Sequence, residues 1–188
     1  MYQKLQFKIV GISPLIQHNG QTSDPLNQFS KMLKEVTGKR SKTDADHAEI
    51  RRIQWYAGLY LNDGKIVIPA QVMEAALCVA ARKLKLGLSA KAGLFIDDHA
   101  IFYFDGDDLT VDELWNRDQN RLTVSVVIDR KRVMTTRPIF KDWSAEFTII
   151  YDEDLFNGTQ VQQIVKICGD VIGLCDWRPK FGRFQVVV

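Results

Sequence analysis

The sequence predicts an α+β protein, with helices on one face of a mainly antiparallel sheet. Three observations carry this. Strand-type alternation opens the chain and returns after residue 120. Two segments, 70–86 and 159–172, carry broad apolar stripes at helical spacing. The gross order is strand, excursion, helix, strand, helix, several strands, helix, strand, which fits helices segregated onto a sheet. At 188 residues, one domain with a sizeable core is the expected organisation.

Each element has a local reason. Leu5, Phe7 and Ile9 alternate with Gln6, Lys8 and Val10, a half-buried first strand ended by Gly11-Ile-Ser-Pro14. Residues 17–44 are polar and read as a basic inserted segment outside the main fold, projecting and partly mobile. Within it Phe29, Met32, Leu33 and Val36 have helical spacing, and Gly38 ends that helix. Thr43 reads as an N-cap, with Asp44 and Asp46 at the positive end of a helix running to about Tyr56. Asn62-Asp-Gly64 is a hairpin signal before a short strand, Lys65 to Ile68. Pro69 suits the first turn of the next helix, whose face is Val72, Ala75, Ala76, Val79, Ala80 and Leu84, closed by Gly87. Residues 94–104 read as one or two strands and 109–120 as a solvated connector with a helical turn at 112–115. Leu122, Val124, Val126 and Ile128 alternate as a strand, and Glu146 to Tyr151 is another. Thr159 begins the last helix, with Gln162 in capping-box register. Val186 to Val188 forms the terminal strand.

Composition narrows the function class. The formal net charge is +2, too small to demand a polyanionic partner, so what matters is whether the cations cluster. Cys78, Cys168 and Cys175 match no zinc spacing and, being odd in number, no disulfide framework. They read as buried thiols in a reducing compartment. No apolar run approaches ~20 residues, so no membrane span or membrane partner is expected. The start lacks the apolar block of a signal peptide, and the protein is read as cytoplasmic.

Catalytic constellations are weak, and neither a cofactor nor a metal site is expected. His18 lies near Asn19 and Asp24 and would serve a nuclease as general base; a loop histidine is the favoured alternative. His47 sits among Asp44, Asp46 and Glu49, a spacing common on solvated helix faces. His99 follows Asp97-Asp98 without a specific pattern, and no phosphate-binding loop or nucleophile elbow occurs. The chain is therefore expected to be a binder rather than an enzyme.

The cations do cluster. One group is Lys31, Lys34, Lys39, Arg40 and Lys42; another is Arg82, Lys83, Lys85 and Lys91; a third is Arg130, Lys131, Arg132 and Arg137. The fourth lies in Gly173-Leu-Cys-Asp-Trp-Arg-Pro-Lys-Phe-Gly-Arg-Phe184, where Arg178, Lys180 and Arg183 are interleaved with Trp177 and Phe181, and Gly182 adjoins. Cations neutralise phosphate, aromatic faces stack on unpaired bases, and glycine admits close backbone approach. Single-stranded RNA or DNA is the partner this pattern fits. The alternative is a turn whose aromatics pack in the core and whose cations face water.

These segments together resemble the RAMP superfamily of CRISPR-associated proteins, and in particular the backbone subunits that coat guide RNA. Phe7-Lys-Ile-Val-Gly-Ile-Ser-Pro-Leu15 resembles the family's first strand and turn. Ile68-Pro-Ala-Gln-Val-Met-Glu-Ala-Ala-Leu77 resembles its proline-led helix start. Arg137-Pro-Ile-Phe140 through Phe147-Thr-Ile-Ile-Tyr151 resembles its late turn and strand, and 173–184 its glycine-rich loop. The segments cover about a quarter of the chain, and their shared order is the argument. The resemblance implies an RRM-like, ferredoxin-like βαββαβ core with inserted loops, RNA-backbone contact through Arg178, Lys180, Gly182 and Arg183, and self-assembly as a homo-oligomer or filament, with other effector-complex subunits as partners. Ala70 and Gln71 depart from the family's Gly-Ser, and Cys175 from a usual glycine. Those departures fit a divergent, free-standing relative encoded by a phage or prophage. A RAMP-type endoribonuclease and a protein-interaction module without nucleic acid remain the alternative functions.

Overall fold

The computed structural model describes residues 1–187, so the terminal strand's expected last residue, Val188, lies outside the described residues. The fold is α+β with antiparallel sheets, and the chain divides into two compact units. One comprises Met1–Ile16, Leu61–Asp107 and Phe140–Val188; the other comprises Gln17–Tyr60 and Asp108–Ile139.

The first unit is built on one sheet. Strand β1 (Tyr2–Gly11) leads, and β2 (Leu15–Ile16) follows it closely; later in the chain come the short hairpin β3 (Leu61–Asn62) and β4 (Lys65–Ile66). Strands β5 (Leu94–Ile96) and β6 (Ile101–Phe104) both pair with β9 (Trp143–Asp152), and β10 (Phe184–Val187) pairs with β1. The order across the sheet is β10-β1-β9-β5, with β6 also on β9. Phe7 lies opposite Phe147, and their rings stack at 5.6 Å. Alternate residues of β9 are buried, Trp143 through Tyr151, whereas Lys4 and Lys8 of β1 stand on the opposite, open face with Glu146. Period-2 alternation thus gives one buried and one wet face.

Helix α3 (Ala70–Lys83) buries Met73, Ala76, Leu77, Ala80 and Ala81, and its neighbour α6 (Gly158–Ile167) buries Val161, Ile164 and Val165. The alanines allow close approach. Pro69 is the N-cap of α3, one residue before the expected first turn, and the Nδ1 of His99 accepts from the Ala70 N–H at 3.2 Å. Gly87 does not close this helix: α3 ends at Lys83, the chain turns at Lys85, whose φ is 62°, and Gly87 starts α4 (Gly87–Gly93). The last helix begins earlier than expected. Asn157 caps it and Gln160 completes the box, since Asn157 Oδ1 reaches the Gln160 N–H at 2.9 Å. The helix then widens into a π-helical turn, Cys168–Ile172.

The second unit holds a 3₁₀ turn (Gly20–Ser23), helices α1 (Gln28–Thr37) and α2 (Asp44–Gly58), α5 (Val111–Trp115), and the hairpin of β7 (Arg121–Ile128) with β8 (Lys131–Phe140). Of the two α-helices in 17–60, α2 carries the core residues Ile53 and Trp55, whereas no residue of α1 is buried. Trp55 donates to the Asn120 carbonyl at 2.8 Å and its ring meets Trp115 edge-on at 5.6 Å. The third cation cluster begins at a two-residue turn. Asp129 (φ 47°) and Arg130 (φ 65°) join β7 to β8, and Lys131 already belongs to a ladder with Ile128. Positive φ at both central residues is the geometry that matches the right-handed strand twist. Among the described residues, no helix is long and apolar enough to cross a membrane, and no group of three or more His, Cys, Asp or Glu is placed to hold a metal ion.

Candidate nucleic-acid interface

The C-terminal loop of the first unit is held by backbone hydrogen bonds and by the Ser13 side chain. The Leu174 N–H donates to Gly182 O at 2.9 Å, closing the loop on itself. The turn after β1 then grips it: Gly182 N–H donates to Pro14 O at 2.8 Å, Asp176 N–H to Ile16 O at 3.0 Å, and Ile12 N–H to Arg183 O at 2.8 Å. Ser13 adds its hydroxyl, which accepts from the Arg183 N–H at 3.0 Å, while its carbonyl accepts from Trp143 Nε1 at 2.9 Å. Sequence reasoning missed Ser13 in this role. The signal available was its place in Gly11-Ile-Ser-Pro14, but nothing local says which distant segment that turn meets.

Both bracketing glycines are required by the loop's own path. A Cβ on Gly182 would stand 2.0 Å from Leu174 O, and one on Gly173 would stand 2.6 Å from Phe181 O. Their φ values are 73° and 79°. Close approach is real here, but what approaches is the loop's own backbone. Cys175 and Trp177 also take positive φ, 60° and 52°, an arrangement that L side chains adopt rarely. The Arg178–Pro179 peptide is cis.

On this frame Arg178, Lys180 and Arg183 are exposed, and Trp177 and Phe181 are half-buried. The two rings lie 6.1 Å apart at 51°, and Lys180 Nζ sits 5.6 Å from the Phe181 centroid. Trp177 is therefore neither wholly core nor wholly presented to solvent. Beneath the cations, burial pushes the Cys168 and Cys175 thiols up to about 12, opposed in part by the nearby Arg178 charge. These thiols are poor nucleophiles at neutral pH. The loop can offer cations and ring faces to an anionic, unstacked chain; it holds no acid–base pair.

The cations of the 31–42 and 130–137 clusters lie in the second unit and have unequal roles, whereas Arg82, Lys83, Lys85 and Lys91 belong to the first. Lys31 and Lys34 are exposed on α1, and Arg40 is exposed after it. Lys39 pairs with Asp46, the capping-box residue of α2, and this hydrogen bond with those from Thr43 holds the Asp46 carboxyl well below the usual carboxylate range. Lys42 Nζ donates to the Lys39 carbonyl at 2.9 Å. Lys39 and Lys42 therefore knit the entry to α2. Arg130, Lys131 and Arg132 are exposed at the hairpin tip. Arg137 differs: it is half-buried, burial lowers its pKa, and its charge adds to burial in holding the His18 imidazole below its ordinary value. His47 is exposed on α2.

No protein-family model matches the chain, and no curated protein matches it. Solved structures do. A chain in the cryo-EM structure of the Type III-B Cmr-beta bound to cognate target RNA matches with a TM-score of 0.52 at 13% identity, over 100% of this chain and 59% of that one. This protein thus spans 59% of that neighbour's length, and the likeness is one of fold.

Proposed function

We propose that this protein is a non-enzymatic binder of single-stranded nucleic acid, RNA rather than DNA, of the RAMP backbone-subunit type, which self-assembles along the strand. Its core is read as a single RRM-like βαββαβ domain: β1, α3, β5 with β6, β9, α6 and β10. In that reading the sheet order β10-β1-β9-β5 is fourth, first, third, second. The residues 17–60 and 108–139 are then insertions between core elements, the first of them containing the basic 17–44 segment.

The observation that carries the reading is the C-terminal loop. Its backbone is tied to the turn after β1, so Arg178, Lys180 and Arg183 are presented from a fixed frame at low ordering cost. Half-buried Trp177 and Phe181 supply ring faces beside those charges. The neighbour in fold comes from an RNA-bound assembly, which supports RNA as the ligand class. Stacking would contribute ~1–3 kcal/mol per base, and phosphate neutralisation would make binding salt-dependent. The test is titration of fluorescein-labelled single-stranded RNA with the wild type and with Arg178→Ala/Arg183→Ala. The double variant should bind more weakly, with its salt slope reduced by ~0.7 per lost contact. A folded double variant with unchanged affinity removes this loop from the interface.

A further inference from the structure

Helices α1 and α2 leave a small cleft between them within the second unit. It measures about 140 Å³ and is lined by Phe29 and Met32 of α1 and by Glu49, Arg52, Ile53 and Tyr56 of α2. Spacings of three and four put these side chains on the facing sides of the two helices. The walls are fixed from outside the cleft. The Tyr56 hydroxyl donates to Asp112, and its ring lies 5.1 Å from that of Trp55 and 6.1 Å from that of Trp115. The Arg52 guanidinium lies over the Tyr56 ring, 5.4 Å from its centroid. On the other side, the Asn27 side chain accepts from the Phe29 N–H at 2.9 Å, and the Ser30 hydroxyl donates to the Thr22 carbonyl at 3.0 Å. These bonds hold the start of α1. Met32 is 40% exposed and brings a flexible, polarizable side chain to the cleft.

Size and charge limit the occupant. The cleft is smaller than the ~300–1,000 Å³ of pockets that enclose a free small molecule. It suits one group of a longer molecule that is held elsewhere as well. Glu49 is half-buried here and joins none of the ion pairs among the described residues. Its carboxylate is left to accept hydrogen bonds, and Arg52, three residues on, can only donate. One anion beside one cation favours neither a charged cationic group nor a charged anionic one. The pair suits a neutral edge that carries donors next to an acceptor. Rings, a guanidinium and a thioether suit a flat, conjugated body. Asparagine and glutamine have such an edge without a ring, and aromatic side chains have a ring without such an edge. A nucleobase has both, and unstacked bases are recognised on their Watson–Crick edges between aromatic and arginine planes. Of the four RNA bases, guanine sets two adjacent donors, N1–H and the N2 amino group, beside the O6 acceptor. A carboxylate can accept both donors at once.

Building on the single-strand-binding reading above, we propose that the α1–α2 cleft takes one unstacked guanine of the bound strand. Its plane lies against Phe29 and the Arg52–Tyr56 pair. Its N1–H and N2 amino group donate to Glu49, and its O6 accepts from Arg52. Lys31 and Lys34, exposed on the same helix as Phe29 and Met32, serve the flanking phosphates. A protein that otherwise grips the backbone of a strand thereby gains a preference for sequence.

The probe is a fluorescein-labelled ten-nucleotide RNA of uridines with one central position varied among guanine, adenine, cytosine, uracil and inosine. Fluorescence anisotropy reads affinity. The guanine strand should bind the wild type at least fivefold more tightly than the other three standard strands, and inosine, which lacks the N2 amino group, should lose most of that preference. Glu49→Gln should bring the guanine strand down to the level of the uracil strand and leave the uracil strand unchanged. With 6-thioguanine at the central position, photo-crosslinking followed by mass spectrometry should mark residues between 28 and 56. Equal binding of all strands, a preference that survives in folded Glu49→Gln, or a cross-link elsewhere would overturn the proposal. Inosine against guanine on the wild type decides even if Glu49→Gln does not fold. Equal binding of all strands sinks the guanine pocket and leaves the single-strand reading standing, whereas failure to bind any of them sinks both.

Discussion

The C-terminal loop and the tip of the β7–β8 hairpin carry the same kind of sequence signal and are different physical objects. Each concentrates cations beside residues of positive φ: Cys175 and Trp177 in the loop, Asp129 and Arg130 at the tip. The loop is fastened by hydrogen bonds to a turn far away in sequence, as with the Ser13 hydroxyl and the Arg183 N–H, separated by 170 positions. Among the described residues, the tip is fastened by its own ladder, Ile128 to Lys131 and onward. Val127, Val133 and Met134 near the tip stay exposed, whereas Leu174 and Phe184 at the two ends of the loop are buried. A dense run of cations therefore does not say whether its frame is made locally or by distant chain. That difference decides how much ordering a ligand must supply when it binds.

The sharpest way to break the comparison is through a glycine. Gly182→Ala places a Cβ 2.0 Å from Leu174 O at a φ of 73°, and should cost about 3 kcal/mol or more of stability. Chemical denaturation measures it. A substitution without effect would show that the loop is not held as described. At the tip, Arg130→Ala/Lys131→Ala/Arg132→Ala should leave stability within ~0.5 kcal/mol, because these side chains are exposed.

Next in size is the effect on binding. If both regions contact the same class of ligand, Arg178→Ala/Arg183→Ala and the triple tip variant should each flatten the salt dependence by ~0.7 per lost phosphate contact. The loop variant should lose more affinity per cation, since its frame is ordered before binding. A larger loss at the tip reverses the ranking.

A smaller effect separates Arg137 from the exposed cations of its own cluster. Burial, with the Arg137 charge, holds His18 below its unfolded value of about 6.5. A depressed histidine contributes stability above its unfolded pKa, and this is lost as pH falls through the folded one. Thermal melts from pH 7.5 downward should thus show a fall below about pH 6.5 that His18→Gln reduces. An identical profile in the variant would count against a lowered pKa for this imidazole. The smallest expected signal is chemical: at pH 8 a thiol reagent should leave Cys168 unmodified in the folded protein, because burial pushes its thiol up to about 12. Rapid modification would mean that the segment opens.

Much of this was legible in the sequence because it depends on near neighbours. The alternation of Leu5, Phe7 and Ile9, the stripe of α3, the Thr43 cap with Asp46, and the turn at Asp63-Gly64 are consequences of period and local hydrogen bonding. Where local rules compete, the reading slipped. Asn157 and Gln160 win the cap of α6 over Thr159 and Gln162, both pairs having suitable spacing. Asp129-Arg130 makes a tight hairpin turn without the glycine or asparagine that would announce it, because the paired strands impose its φ values. Tertiary structure alone decided the roles of like residues. Lys39 serves a helix cap while Lys34 stays exposed on α1, and Arg137 is drawn half inside while Arg132 is not. It also decided that Gly173 and Gly182 make room for the loop's own backbone, and that Ser13 is the residue that holds Arg183. The physical reason is one of range: periodicity and capping act over a few residues, whereas the surroundings of a cation or a glycine are set by whichever distant segment folds against it.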